Sequence, residues 1–474
     1  MQGQGPVRRA VCRTWVRSSV WLLLALAGRG QVTAADPISL KPDHPADAMV
    51  NVEVVLQVGG DLLLTDPKQS LTATASLRKV PMSVAAKLVY DERTTAQREN
   101  DKERVRGVRY YHSARALVEI QQGTQKPTLD AAHRLIAIET LEADTTLACP
   151  TKPLTREELD LIDVPGNTLV LDELLPTDPV TLGSSWKHSD SLMAAILRLD
   201  AVSLCDVQSM FAEVNQQQNT AQISLAGTVQ GAVGGVATEI EVKAKYTFDL
   251  TARRITLFAL LIKEKRSVGH VGPGLDVVAK QIIKIKPIAS SQYVHDAAAE
   301  MAKRAIGDSA SLLAFESTLN RFSLQHDRRW FVTSEEKKLS IFRYVERGEL
   351  VAQCNVAALD RVPAGETFGL AEFQRDIEKS LGKKFGQFIS AKEETDSAGR
   401  RVFRVVAAGT VSELPIRWVY YMYSTREGRR LSIAFTMEQS LVDRFGDADR
   451  RFLAALEILS PQSAVTSMPT PVRR

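Results

Sequence analysis

Residue types that perform chemistry are present in this chain, and their spacing decides what they can do. Seven histidines, His44, His112, His133, His188, His270, His295 and His326, stand singly. No HExxH pair exists to hold zinc and present a base. In His295-Asp296 and His326-Asp327 the carboxylate is the next residue along, a placement from which it does not normally orient an imidazole for general-base work. A nucleophilic serine on an elbow needs GxSxG, and Gly183-Ser184-Ser185-Trp186 lacks the second glycine. Glu157-Glu158 and Glu393-Glu394 are adjacent acids, whereas glycosidase carboxylates converge from separate strands, a convergence invisible in one dimension. SVGHVGPG, Ser267 to Gly274, has three glycines but neither the lysine and hydroxyl of a phosphate loop nor GxGxxG spacing, so it reads as a hairpin or lid loop. Cys149, Cys205 and Cys354 show no CxxC and no histidine at ligand spacing, which argues against a zinc site and leaves a Cys149–Cys205 bridge open. The expectation is a chain with no catalytic residue, no cofactor and no metal.

Two apolar sets remain as candidate sites. Trp418, Tyr420, Tyr421 and Tyr423 lie on one strand, Ile416 to Ser424, where large side chains point both ways; they are either a doubly covered core strand or a docking surface, since Tyr and Trp supply much interface energy. Ile240, Val242, Tyr246 and Phe248 share one face of Glu239 to Leu250, opposite Glu239, Glu241, Lys243 and Lys245. That dry face is either packed core or the lining of a cavity for an apolar ligand, and alternation is the same for both.

The elements that must position them are mostly strands. From Val50 to about Pro287 the expected strands are Asn51 to Val58, ending at a Gly59-Gly60 turn, then Leu71 to Leu77, Ser83 to Tyr90, Val105 to Ile120, Leu135 to Leu141, Glu239 to Leu250, Ile255 to Lys263 and Gln281 to Lys286. Asp91 to Gly107, with charges of both signs, reads as a solvated hairpin tip. Two short helices interrupt them: Thr155 to Leu161, with Thr155 and Glu158 in capping-box spacing, and one through Leu192, Met193, Ile196 and Leu199. Ser290 to Leu313, rich in alanine and charge, reads as a bridging helix. Beyond it come strands over Trp330–Thr333, Leu339–Val345 and Leu350–Val356, and a helix with Leu370, Phe373, Ile377 and Leu381 on one face. A meander follows through Phe388–Lys392, Arg401–Ala407, Ile416–Ser424 and Arg430–Met437, and then a helix from Asp447 or Asp449 to Leu459.

The N-terminus affects where the chain works. Arg8, Arg9, Arg13 and Arg17 precede the apolar run Val20 to Ala27, and Thr33-Ala34-Ala35 offers small residues for cleavage, the order of a secretory signal peptide over 1–35. The run is far shorter than the ~20 residues a spanning helix needs. Residues 1–35 hold five arginines and no acid, so the formal charge of +4 becomes −1 without them. A near-neutral remainder lacks the basic footprint of a nucleic-acid partner. The expected location is exported, periplasmic or extracellular, and not membrane-spanning.

The Arg329-Trp330 hairpin, the Pro363-Ala364-Gly365-Glu366 entry to an amphipathic helix, the Ala408-Gly409-Thr410 turn, the WVYYMY strand, the GRR turn and the last helix together resemble the PsbP-like fold, over about 30% of the chain. The resemblance implies a non-catalytic domain that docks on larger protein assemblies. The N-terminal half resembles, more loosely, the curved sheets of exported lipid-carrying proteins. The expected architecture is therefore α+β: an antiparallel curved sheet or open barrel over 36–288, a helical linker over 289–315, a PsbP-like α/β/α sandwich with an antiparallel sheet over 316–460, and a disordered tail over 461–474. The expected function is non-enzymatic binding or scaffolding through a protein partner, with carriage of a lipid or other apolar ligand as the alternative and hydrolysis as a weak third.

Overall fold

Alternating apolar and polar residues make β1 (Met49–Leu64), β2 (Arg78–Thr94) and β3 (Arg104–Ile120) long two-faced strands, with Val50, Val52 and Val54 of β1 turned inward. In a computed structural model they join β4 (Gly123–Gln125), β5 (Leu135–Leu141), β6 (Asp144–Ala148), β7 (Ser185–Lys187), β8 (Ala201–Asn215), β9 (Thr220–Val233), β10 (Val236–Asp249), β11 (Arg254–Arg266) and β12 (Gly274–Ile288). These twelve strands form one sheet of order β6-β5-β3-β2-β1-β12-β11-β10-β9-β8-β7, with β4 beside β3. The structure describes residues 36–459 apart from 44, 46, 66–76, 96–103, 143, 306–311, 362–367, 397–398 and 426. The expected leader 1–35, the tail 461–474, the Pro363–Glu366 entry, His44 and most of the expected strand at 71–77 lie outside the described residues.

Laid flat, eleven strands at about 4.8 Å spacing would span roughly 50 Å. Yet α2 (Asp190–Leu197) touches both β6 and β8, from opposite ends of the strand order, and one apolar core runs from Leu147 on β6 to Phe211 on β8. The sheet is therefore wrapped around the chain that links β6 to β8, which carries the short edge strand β7 on its way. This inner segment, residues 153–199, contains α1 (Arg156–Ile162), a 3-10 turn at Leu171–Leu174 and α2. The capping box expected at Thr155 and Glu158 is present, and it starts α1 where Leu159, Leu161 and Ile162 turn inward.

A linker helix, α3 (Asp296–Ala305), is shorter than the expected 290–313; Leu312 already belongs to a strand. Next come β13 (Leu312–Ser317), β14 (Phe322–Asp327), β15 (Trp330–Glu336), β16 (Leu339–Glu346), β17 (Glu349–Leu359), α4 (Leu370–Leu381), β18 (Phe385–Thr395), β19 (Arg401–Val411), β20 (Leu414–Ser424), β21 (Arg430–Glu438), α5 (Val442–Phe445), α6 (Ala448–Leu453) and β22 (Glu457–Ile458). Seven of these strands form a second sheet, β15-β16-β17-β21-β20-β19-β18, and β13-β14-β22 form a third. From Pro37 onward the chain is one unit containing all three sheets. Arg156 bonds the Arg328 carbonyl, Arg328 bonds the Leu147 carbonyl, and the Ala314 amide donates to the Leu154 carbonyl at 2.8 Å, so the inner segment is anchored directly to the second half.

The α+β expectation is overturned. Strands make up 58% of the structure and helices 15%, so the fold is mainly β. The helices are patches rather than layers: α4 covers Phe403, Val405 and Met422 on one side of the second sheet, while the other side is covered by α5 and α6, four and six residues long, together with Phe322 and Leu324 of β14. The expected terminal helix stops at Leu453, and Glu457–Ile458 pairs with β14 instead. The Gly59-Gly60 turn is also absent, because β1 runs straight through it. Gly60 sits at φ +151°, where a Cβ would lie 2.3 Å from the Asp276 carbonyl, so the glycine serves a close strand approach instead.

Candidate functional site

The inner segment meets the sheet through a buried polar cluster set in an apolar wall. On β2 the two-residue period Leu88, Tyr90, Glu92 carries a carboxylate onto the inner face, and Arg109 is its cross-strand partner on β3. Arg109 Nε lies 2.7 Å from Glu92 Oε2, with the two side chains 6% and 3% exposed. From the inner segment, the Thr168 hydroxyl donates to Glu92 at 2.6 Å and accepts from Arg109 at 2.9 Å, while Asn167 Oδ1 accepts from Arg109 at 3.2 Å. Asn167 Nδ2 reaches Thr140 Oγ1 of β5 at 2.8 Å. The Arg109 guanidinium also lies 4.8 Å from the Tyr90 ring centre.

Burial pulls the Arg109 guanidinium toward neutrality, but Tyr90 and Glu92 outweigh it and hold its pKa above the ordinary arginine value. Burial raises the Tyr90 and Tyr111 phenols, which stay neutral. The Tyr111 hydroxyl lies near Arg109 without meeting hydrogen-bond geometry. Beside it is a cavity of about 10 Å³ bordered by Asp163, Asn167 and Arg198, room for about one water. Close approach here depends on Gly166, at φ +76°, where a Cβ would fall 2.6 Å from Ile283 Cδ1.

A second set of bonds ties the far end of the segment. Trp186 Nε1 donates to the Leu174 carbonyl at 2.8 Å, and the Tyr246 hydroxyl lies 3.2 Å from that carbonyl and 2.8 Å from Ser209 Oγ. His188 Nε2 is 2.7 Å from the same Ser209 Oγ, and burial lowers its pKa to about 4, so the imidazole is neutral near pH 7.

The residues singled out from sequence fall as follows. Ile240, Val242, Tyr246 and Phe248 lie together on the inner face and are buried beneath the segment 153–199, so the face is filled rather than hollow. Trp418, Tyr421 and Tyr423 are buried, and Tyr420 is half-buried. Trp418 packs with Ala407 and Ile416, and the Tyr421 hydroxyl donates to Asp449 of α6 at 2.7 Å while accepting from Arg404 at 2.8 Å. The strand is thus doubly covered core, and these aromatics are not presented to a partner. Burial pushes the Tyr420 and Tyr423 phenols up to about 12. Cys149, Cys205 and Cys354 are unpaired.

Two histidines do meet carboxylates from distant segments. His112 Nε2 is 3.0 Å from Asp91 Oδ1, and Ser291 Oγ donates to Asp91 Oδ2 at 2.7 Å. The serine bonds the acid rather than the imidazole, so this hub fixes the linker and activates no nucleophile. His133 Nδ1 is 2.7 Å from Glu158, whose carboxylate also accepts from the Thr155 and Asp130 amides. Burial would raise the Glu158 pKa, but these bonds hold it below the usual range, an arrangement that caps α1.

Sequence reading missed Glu92, Arg109, Asn167 and Thr168. Asp91 to Gly107 looked like a loop, and a charge following Leu88 and Tyr90 at the strand period was the available signal.

No family model and no curated protein matches the chain. Among solved structures, cyanobacterial PsbP from Synechocystis sp. PCC 6803 is 15% identical and covers 32% of this chain and 95% of its own length, with a TM-score of 0.26. The Ran-binding protein Mog1p of Saccharomyces cerevisiae is 8% identical over 31% of this chain and 96% of its own, also at 0.26. OccK5 of Pseudomonas aeruginosa is 9% identical over 83% of this chain and 97% of its own, at 0.12. The PsbP likeness is weak, and scores of this size carry no functional argument. No helix among the described residues is long and apolar enough to cross a membrane.

Proposed function

We propose that this chain is an exported, non-catalytic carrier of an apolar ligand, and that residues 153–199 are a plug occupying the ligand's place. The observation that supports this most is the Glu92–Arg109–Asn167–Thr168 cluster. A permanent core gains little from a buried ion pair, because apolar residues of similar volume stabilise as well or better; the best-attested use of such a pair is to specify one arrangement among several. Here it specifies the plugged one. Apart from the short edge strand β7, the plug is not part of the sheet, and it covers the inner face with leucines and isoleucines, among them Leu171, Leu174, Ile196 and Leu197. An acyl chain offers the sheet equivalent surface. Association through Trp418, Tyr420, Tyr421 and Tyr423 loses support with their burial.

Native mass spectrometry of the exported chain, before and after extraction with organic solvent, tests the proposal. The carrier reading expects an adduct that extraction removes and that an added long-chain fatty acid restores. A single unliganded mass throughout, with no uptake of the fatty acid, overturns it.

A further inference from the structure

We infer that the outer face of the twelve-stranded sheet, over β10, β11 and β12, docks on an anionic lipid surface. The inference goes beyond the carrier reading, because this face is open whether or not the plug ever moves. Strand register sets the pattern. Leu261 of β11 lies between Lys243 of β10 and Lys280 of β12, and Ala259 lies between Lys245 and Ile282. One step along, Leu257 faces Lys284. The centre of the face is thus aliphatic, with Leu257 and Ile282 exposed, and lysines stand on both flanks. Between them runs a shallow trough of about 480 Å³.

The net charge of this face is positive, although Glu239 and Glu241 of β10 and Asp276 of β12 share it with the lysines. Lys243 and Lys263 share the single Glu241 carboxylate, whereas Lys245, Lys280 and Lys284 make no ion pair among the described residues. This local excess stands in a chain whose net charge past residue 35 is −1. Lysine stems lie along apolar surface while their ammonium groups reach outward, which suits a layer that is greasy below and anionic above. An acidic protein is the less suitable partner: protein interfaces are enriched in tyrosine, tryptophan and arginine and depleted in lysine, and the trough holds none of the first three.

Co-sedimentation of the purified full chain with vesicles tests this. The chain is expected to pellet with phosphatidylcholine vesicles containing phosphatidylglycerol, to stay in solution with pure phosphatidylcholine, and to be released by salt. K243E/K245E/K280E/K284E should lose at least tenfold in binding. K379E/K383E/K384E/K392E, which changes net charge equally on exposed lysines elsewhere, should keep it. Circular dichroism and thermal melting verify that each variant folds; should the first not fold, the lipid and salt dependence of the unmodified chain still decide. No pelleting with anionic vesicles, equal loss in both variants, capture on poly-glutamate without vesicle binding, or a dimer that buries this face would each overturn the inference. A chain that binds vesicles yet carries no extractable adduct would refute the carrier reading alone.

Discussion

Arg109→Met removes the cation at the centre of the Glu92–Arg109–Asn167–Thr168 cluster and leaves its partners in place. Glu92 then remains 3% exposed, with the Thr168 hydroxyl as its remaining donor in the cluster. Breaking a buried pair from one side costs about 3–5 kcal/mol, because the surviving charge is uncompensated. Replacing both partners is different: Arg109→Met with Glu92→Leu removes the charge as well, and such replacements range from neutral to about 1–4 kcal/mol stabilising. Against that, the double variant loses the Thr168 and Asn167 bonds to Arg109 and the Thr168 bond to Glu92, about 1 kcal/mol each. The double variant should therefore lie within about 3 kcal/mol of the unmodified chain and be more stable than Arg109→Met. Urea unfolding followed by far-UV circular dichroism measures both, provided the slopes agree. A double variant as unstable as the single one would refute the view that the pair specifies position rather than supplying stability.

Other outcomes follow from the same contacts. His188 titrates at about 4 folded and at the ordinary 6.5 unfolded, so below about 4 both forms are charged and above 6.5 neither is. Between these values the unfolded chain alone binds the proton, so stability falls as pH falls, by roughly 2 kcal/mol after discounting for partial exposure; His188→Gln should flatten that window in thermal melts. Gly166→Ala places a Cβ at φ +76° against Ile283 and should cost about 1–3 kcal/mol, with Ile283→Val less harmful in that background than alone. Trp330→Ala, which empties the space between Phe452, 4.6 Å away, and Tyr344, should cost about 3–5 kcal/mol in urea unfolding, and an effect below 1 kcal/mol would contradict the packing described.

Where period and burial agreed, the sequence was readable. Ile240 to Phe248 alternate because one face of β10 is dry, and Trp418 to Tyr423 are large on both sides because β20 is covered on both. The capping box at Thr155 needed only local spacing. Other features depend on long-range pairing. Ala201 to Val233, rich in Gln and interrupted by Gly227 and Gly231, forms β8 and β9 because neighbouring strands supply the register. Gly60 resembled a turn because composition does not distinguish a turn from a close strand approach. The buried polar cluster was hidden for a similar reason: Glu92 and Arg109 are surface-type residues, and only the wrapping of the sheet around residues 153–199 makes them interior.

Hydrogen exchange of residues 153–199, followed with and without a saturating long-chain fatty acid, tests the plug most directly. The account predicts that ligand speeds exchange in the plug while the amides of β10 to β12 stay protected. A plug whose exchange is unchanged by ligand, and as slow as that of the strands beneath it, would show it to be permanent core and would contradict the carrier reading.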